Sequence, residues 1–527
     1  MLIIMSAAYI DKELASEFGD IPPTFLPLGN KRLFQHQIAA SPKQKRVYLS
    51  LPDDFTPNPA DLDWLLQHNV AILRVPVGLP LGASLVSSLN LIEDNIQGPV
   101  SILFGDTLIT DIPSDKNVVA VSEIEDNYNW SVISQEKDKL IEPNHQRSSA
   151  DNQNVVAGYF NFSQPKQLIR SLTHQHWDFV KGLNDYHQQV GMCSARVNNW
   201  LDFGHVNTYY HSKAKFTTQR AFNELDINPP VVTKSGNQKN KIEAEANWFK
   251  HLPGDLKVFT PQFLGSYVNQ EKASYQLEYL HLTALNELYV FAQLPDMVWQ
   301  RILNACFAFI DKSSEHQALA DDKQASLGGL FQQKTLQRVT LFCKNNQLDA
   351  DKIWQINQTT LVSINQLCKL SEQYLPAPKA ASLMHGDFCF SNILYDFRTN
   401  NIKTIDPRGI DHNGNMARFG DIQYDLAKLS HSVLGMYDWI IAGYFSLTYQ
   451  PYQISFELHH QSHNDAVQNI FLRAVKQRYR LNAANIYAMQ IQLFLSMLPL
   501  HSDQPERQQA LLANAFRLFE LLQQEVS

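Results

Sequence analysis

The chain has 527 residues, with 44 basic and 52 acidic side chains and a formal net charge of -8 at neutral pH. A chain of this length exceeds what one ordinary hydrophobic core fills, so at least two domains are expected. The negative balance, without any basic, aromatic-interleaved patch, argues against nucleic acid as a partner and leaves small-molecule chemistry.

In chain order, the apolar run Leu2-Ile3-Ile4-Met5-Ser6-Ala7-Ala8-Tyr9 lacks the basic start and cleavage region of a signal peptide and is predicted to be a buried first strand. Val70-Ala71-Ile72-Leu73-Arg74-Val75 and Val100-Ser101-Ile102-Leu103-Phe104 repeat that theme, with helical stretches such as residues 83–92 between them. Strands alternating with helices predict a doubly wound α/β domain built on a parallel sheet, assigned to residues 1–214. The polar run at residues 144–154 is expected to be a surface loop of that domain.

The second half, residues 215–527, begins with a strand, Pro230-Val231-Val232-Thr233-Lys234-Ser235, and a helix opening on Glu245 and running through Trp248 and Phe249. Tyr275-Gln276-Leu277-Glu278-Tyr279-Leu280 reads as a further strand, and helical patterns dominate from about residue 285. Residues 215–283 and 284–527 are thus expected to form two lobes. The most informative stretch is His385-Gly386-Asp387-Phe388-Cys389-Phe390-Ser391-Asn392, followed fourteen residues after the Asn by Asp406. An Asp that orients and deprotonates a hydroxyl, an Asn five residues on that reaches a metal, and a second Asp at a strand end suit phosphoryl transfer. Gly420 to Leu429 follows with a helix-like pattern, and Leu511, Leu512, Ala515, Phe516, Leu518, Phe519 and Leu522 make a broad buried face.

This H-G-D-x-x-x-x-N pattern resembles the aminoglycoside phosphotransferase and choline kinase family, relatives of the protein kinases. The resemblance implies an α+β kinase-like domain. It implies that Asp387 is the catalytic base, that His385 braces the loop, and that Asn392 and Asp406 bind Mg²⁺. It further implies that Lys234, held by Glu245, contacts the phosphates of ATP, with Tyr275 to Leu280 as the edge strand and hinge against which adenine packs, and gives Asp425 a structural role. The family's glycine-rich phosphate loop is missing from Arg220-Ala221-Phe222-Asn223-Glu224-Leu225.

The first half resembles the sugar-phosphate nucleotidyltransferases through several ordered segments. These are Pro27-Leu28-Gly29-Asn30-Lys31-Arg32-Leu33 with Gln37-Ile38, Pro80-Leu81-Gly82-Ala83, Gly105-Asp106-Thr107-Leu108, Val155-Val156-Ala157-Gly158-Tyr159-Phe160 and Trp200-Leu201-Asp202-Phe203-Gly204-His205. The resemblance implies that Gly82 contacts a base and that Asp106 and Asp202 hold one Mg²⁺ against the phosphates of a nucleoside triphosphate and a sugar phosphate. The sequence departs from that family where phosphate is handled. Its glycine-rich loop with an Arg is replaced by Ala7-Ala8-Tyr9-Ile10-Asp11-Lys12-Glu13-Leu14, and its Pro-Lys by Pro23-Thr24, leaving Lys12 or Lys31 as substitutes. Two readings of the domain follow: nucleotidyl transfer, or binding of a nucleotide or sugar phosphate without turnover.

The five cysteines, Cys193, Cys306, Cys343, Cys368 and Cys389, are scattered and lack metal spacing, which suits a reduced cytoplasm; Cys389 is expected to pack rather than react. No run reaches the roughly 18 uninterrupted apolar residues of a membrane span, and residues 434–447 are expected to form an interior helix. Together these readings predict an ATP- and Mg²⁺-dependent kinase for a hydroxyl on a small metabolite (a sugar, polyol or amino alcohol). It is fused to a nucleotidyltransferase-like domain that would activate the product for surface-polysaccharide supply. A nucleotide-sensing scaffold without catalysis is the alternative.

Overall fold

The computed structural model describes the chain except residues 44, 93–95, 97, 124–130, 135–138, 144–153, 221–224, 270–271, 319–328, 358–359, 412–413 and 460–461. Most of the polar run at 144–154 and of the degenerate loop at 220–225 therefore lies outside the described residues. The remainder divides into two compact units, Met1–Lys213 and Ala214–Ser527.

The first unit is built on strands β1 (Leu2–Met5), β2 (Val47–Pro52), β3 (Val70–Val75), β4 (Val100–Phe104), β5 (Thr107–Ile109), β6 (Val118–Glu123), β7 (Ser131–Ile133), β8 (Ile141–Pro143), β9 (Asn154–Phe162), β10 (Cys193–Arg196) and β11 (Trp200–Asp202). The main sheet runs β10-β6-β9-β4-β1-β2-β3, with β7 and β8 attached off β9, while β5 and β11 pair separately. Its β4-β1-β2-β3 portion is parallel, as the helix-strand alternation predicts. The sheet as a whole is mixed, because β9 enters antiparallel to both β4 and β6. Alternation along β1 sends Ile3 and Met5 into a core roofed by Leu85, Leu89, Leu168 and Leu183, and Leu2 and Ile4 to the opposite face. The roofing residues come from helices α1 (Leu81–Asn90), α2 (Pro165–His174) and α3 (Phe179–Val190).

The second unit opens with a four-stranded antiparallel sheet in the order Leu225–Asn228, Val231–Gly236, Ala273–Glu278, Phe263–Val268. Helix α4 (Lys239–Lys250) packs on it, starting six residues earlier than expected, so that Glu245 lies in mid-helix. The polar start Lys239-Asn240-Lys241-Ile242-Glu243-Ala244 contains several strong helix formers, and Ile242 and Ala244 are buried, so the helix extends through it. The strand bearing Tyr275 is interior, between Val231–Gly236 and Phe263–Val268, and not the edge strand anticipated. Its alternating burial, with Ala273, Tyr275 and Leu277 inside, belongs to any strand facing a helix and carries no information about edges.

The rest of the unit is largely helical. Helix Ala483–Met497 is buried along most of its length, and Pro505–Val526 buries all seven apolar residues singled out from its sequence. By length and apolarity the segment Ala483–His501 meets the criterion for a membrane-crossing helix, with a mean hydropathy of 1.2, but 72% of that window is buried inside the unit, as in a soluble core helix. Residues 434–447 do not form one interior helix: Tyr437–Ala442 is helical, Gly443 ends it at a φ of 85°, and strand Phe445–Gln450 begins two residues later.

Candidate functional site

In the second unit, strand Ser382–Leu383 leads into the His385 loop, and the hairpin Ile393–Asp396 with Asn401–Thr404 leaves it and delivers Asp406. Two backbone bonds close these segments on each other, from Ile405 N–H to the Asn392 carbonyl at 2.9 Å and from Arg408 N–H to the His385 carbonyl at 2.8 Å. His385 is buried and its Nε2 meets the Ile405 carbonyl at 3.0 Å. Burial lowers its pKa to about 4, so the ring is neutral and acts as a strut.

Asp387 and Asn392 are joined directly, the Asn392 amide donating to the Asp387 carbonyl at 3.0 Å and to its carboxylate at 3.1 Å. The other carboxylate oxygen of Asp387 is 2.8 Å from the Lys428 ammonium. Its depth in the cavity pushes the Asp387 pKa up, but the charge of Lys428 and its hydrogen bond outweigh this and hold it below the usual carboxylate range. Asp387 is therefore ionised at neutral pH, as a base must be.

Lys234 bridges two acids, 2.8 Å from Glu245 and 3.0 Å from Asp406. Glu245 is buried and also accepts from Tyr275 Oη at 3.0 Å. The α4 helix is fixed to the loop at two points. Trp248 Nε1 donates to the Met384 carbonyl at 2.8 Å, and Gly409, at φ 64°, lies so close that a Cβ there would stand 2.5 Å from the backbone of Ala244. All five predicted residues of the phosphoryl-transfer pattern, Lys234, Glu245, Asp387, Asn392 and Asp406, border one cavity of about 380 Å³. The donor set suits a hard divalent cation, since Asp406, Asn392 and Asp387 all bring side-chain oxygens to the lining of one cavity.

Asp425 was expected to have a structural role, whereas Lys428, on the same helix, escaped the sequence reading. Helix Gln423–Val433 presents Asp425, whose carboxylate accepts from the backbone amides of both His385 and Gly386 at 2.7 Å. Three residues on, Lys428 reaches Asp387 from the same helix face. The i, i+3 spacing was visible in the sequence, but nothing in it revealed that the face meets the loop. Lys334 and Arg338, from helix Lys334–Asn346, also line the cavity and had no motif to mark them. Cys389 is buried and burial pushes its thiol up to about 12, consistent with packing.

In the first unit, β5 and β11 pair with Thr107 opposite Asp202, and Phe203 N–H donates to the Asp106 carbonyl at 2.8 Å. Gln37, fully buried, ties the turn down by donating to the carbonyls of Phe104, Gly105 and Thr107. Asp106 and Asp202 come together beside Gly204: a Cβ on that glycine would lie 2.9 Å from one carboxylate and 3.6 Å from the other. Burial and then the charge of Asp106 raise Asp202 to about 7, and burial raises Asp106. Two buried carboxylates beside one glycine, each raised in pKa, suit a divalent ion.

The adjoining cavity, about 410 Å³, is bordered by residues 5–11, by Pro23 and by Asp106, and its described lining includes no Lys or Arg. Lys12 and Lys31 are exposed and do not border it. Arg32 is buried in an ion pair with Asp61 at 3.3 Å. Leu79, Leu81 and Ser84 border the cavity, while Gly82 itself does not: it sits in the first turn of α1, where a Cβ would clash with the Trp177 carbonyl, so close helix packing accounts for its lack of a side chain.

No protein-family model and no curated protein matches the sequence. Solved structures similar to it fall into two groups. One includes a nucleoside-diphosphate-sugar pyrophosphorylase from Vibrio cholerae, 13% identical, covering 40% of this chain and 99% of its own, with a TM-score of 0.34. An inositol-1-phosphate CTP transferase from T. maritima is 16% identical over 41% of this chain and 95% of its own, TM-score 0.31. The other group includes a thermostable aminoglycoside phosphotransferase mutant in complex with AMP-PNP and hygromycin B, 13% identical, covering 59% of this chain and 98% of its own, TM-score 0.35.

Proposed function

We propose that the second unit transfers the terminal phosphoryl group of ATP to a hydroxyl of a small molecule. The observation that carries this reading is the meeting of Lys234, Glu245, Asp387, Asn392 and Asp406 around one cavity from four separate stretches of chain. Asp387, kept ionised by Lys428, accepts the proton of the acceptor hydroxyl; the oxygen forms the new bond to phosphorus as the bond to the ADP oxygen breaks. Lys234, oriented by Glu245, neutralises phosphate charge. Asp406 and Asn392 would hold Mg²⁺, which supplies charge neutralisation to the phosphates when bound. ADP release by the full-length protein, tested against sugars, polyols and amino alcohols, checks the reading; no acceptor-dependent ADP release, together with no ATP binding, would refute it.

For the first unit, the Asp106 and Asp202 pair supports divalent-metal-dependent binding of a nucleotide or sugar phosphate. Turnover by nucleotidyl transfer, and hence coupling to the kinase step for polysaccharide precursor supply in the cytoplasm, is the further reading. The described lining of the cavity holds no Lys or Arg to meet a triphosphate, which favours binding without turnover. Pyrophosphate release from CTP, UTP, dTTP, GTP or ATP distinguishes the two.

A further inference from the structure

The phosphoryl-transfer cavity carries more positive charge than its own acids neutralise. Its lining contributes three carboxylates, Glu245, Asp387 and Asp406, against six cationic side chains. Lys234 is satisfied by Glu245 and Asp406, Lys428 by Asp387, and Lys241 lies 4.0 Å from Glu245. The remaining three, Lys334, Arg338 and Arg408, are within ion-pair distance of no carboxylate among the described residues.

Neutral contacts hold these groups in place without compensating them. Arg338 donates to the Ser496 carbonyl at 2.8 Å, and Arg408 stands beside Tyr424 Oη at 3.4 Å and the Asp411 carbonyl at 3.5 Å. Thr335, next to Lys334, is tied to the Gln492 carbonyl at 3.1 Å, which fixes where the lysine leaves its helix. Burial, then the charges of Arg408, Arg338 and Lys428, lowers Lys334 to about 7. Crowded like charges are costly, and an incoming anion removes the cost.

A polar group awaits a partner in the same cavity. His431 is 1% exposed, lines the cavity, and neither ring nitrogen has a hydrogen-bond partner among the described residues. Burial and Lys428 keep it neutral, which equips it to bond a hydroxyl rather than a charge.

Resting on the phosphotransferase reading above, we infer that the acceptor is a hydroxyl compound bearing its own anionic group, a carboxylate or a phosphate, seated on Lys334, Arg338 and Arg408 with its hydroxyls toward Asp387 and His431. Nucleotide phosphates have their own cations in Lys234 and Lys241, which arise from the sheet and helix of the smaller lobe, whereas Lys334 and Arg338 belong to the helical lobe. A cationic acceptor would be repelled by Arg338 and Arg408 and by the protonated fraction of Lys334, whereas an anion would draw Lys334 to its charged form.

The test measures ADP release by the full-length protein with D-gluconate and D-glucuronate as carboxylate probes, glucose 6-phosphate as the phosphate probe, and D-glucose, D-glucosamine and choline as uncharged and cationic controls. An anionic probe is expected to exceed every control at least tenfold in kcat/KM, and the better arm separates carboxylate from phosphate. Lys334→Gln should raise its KM roughly ten- to hundredfold, as loss of one charged contact does, with the KM for ATP changed less than about threefold. Preference for glucosamine or choline would overturn the inference, as would a parallel rise in the ATP KM, which would assign the cations to the nucleotide. Should none of the six be turned over, calorimetry of inorganic phosphate and oxalate against the ADP-saturated protein decides. Binding weakened about tenfold or more by Lys334→Gln supports the inference, and no binding of either anion overturns it. Retained ADP binding in that case leaves the phosphotransferase reading standing; its absence counts against that reading itself.

Discussion

Both units gather carboxylates at or beside a cavity, and they treat the resulting charge in opposite ways. In the second unit each acid has a protein cation within 3.0 Å, Lys428 for Asp387 and Lys234 for Glu245 and Asp406. In the first, Asp106 and Asp202 face each other with no Lys or Arg in the described cavity lining, and Asp202 rises to about 7. An acid paired in advance keeps its charge and can act as a base at neutral pH. An acid left facing another acid waits for an external cation and holds a proton until one comes. The same residue type is thus held ionised in one place and driven toward protonation in the other.

The comparison is most directly broken at Asp387. Asp387→Asn keeps the shape of the side chain but removes its basicity, so phosphoryl transfer should fall by roughly 10²–10⁴-fold while ATP binding is retained. Turnover within a few-fold of the parent would remove Asp387 as the base.

Asp406→Asn should raise the Mg²⁺ concentration needed for half-maximal rate by about tenfold or more, because it deletes a ligand's charge and frees Lys234 on one side. An unchanged Mg²⁺ titration would count against Asp406 as a ligand.

Lys428→Met sharpens the comparison, since it turns Asp387 into an unpaired acid like those of the first unit. With the cation gone, burial acts on the carboxylate against the hydrogen bond from the Asn392 amide, and the pKa of Asp387 rises. The active ionised form is then lost at higher pH, so the acid limb of the pH-rate profile should move up by about one unit or more, with a smaller effect above pH 9. A lowered plateau with an unmoved acid limb would assign Lys428 a purely structural part.

The smallest effect is expected at Asp202. Its pKa in the folded chain lies above the ordinary carboxylate value, so the native state holds a proton the unfolded chain has released between about pH 4 and 7. Stability is therefore lost as pH rises through that window and stays lost above it. Asp202→Asn should raise the first calorimetric transition by roughly 2–4 °C at pH 8 and by much less at pH 4.5. Saturating Mg²⁺ should stabilise the parent but not the variant. A gain independent of pH would show that the two carboxylates do not sense each other.

The parts of this architecture that were legible in sequence are those encoded locally. The His385–Asn392 loop and Asp406 lie within twenty-two residues, and a hairpin between them needs only short-range pairing. Lys234 and Glu245 were legible because a strand and the following helix carry them. Their limits show in the helix start, six residues too late, where a run of polar helix formers leaves no boundary signal. Lys428, Lys334 and Arg338 were not legible as site residues: a lysine on a helix reads as solvated until tertiary packing turns that helix toward a cavity. The antiparallel entry of β9 and the interior position of the Ala273–Glu278 strand are likewise pairings between segments distant in sequence, and periodicity within a strand does not specify its neighbours. At Gly82 the sequence is ambiguous for the opposite reason, since a glycine needed for helix packing and one needed for ligand approach look the same in one dimension.

Helix Gln423–Val433 grips the His385 loop twice, by Asp425 on the backbone of His385 and Gly386 and by Lys428 on the side chain of Asp387. Because one rigid rod carries both grips less than a turn apart, the loop's position and its charge state cannot vary independently. Turning the helix by one residue, about 100°, would withdraw the two together. An insertion or deletion of one residue within residues 423–433 is therefore an all-or-none lesion for this loop, whereas the same change in the hairpin tip around Asn400 would leave both grips untouched.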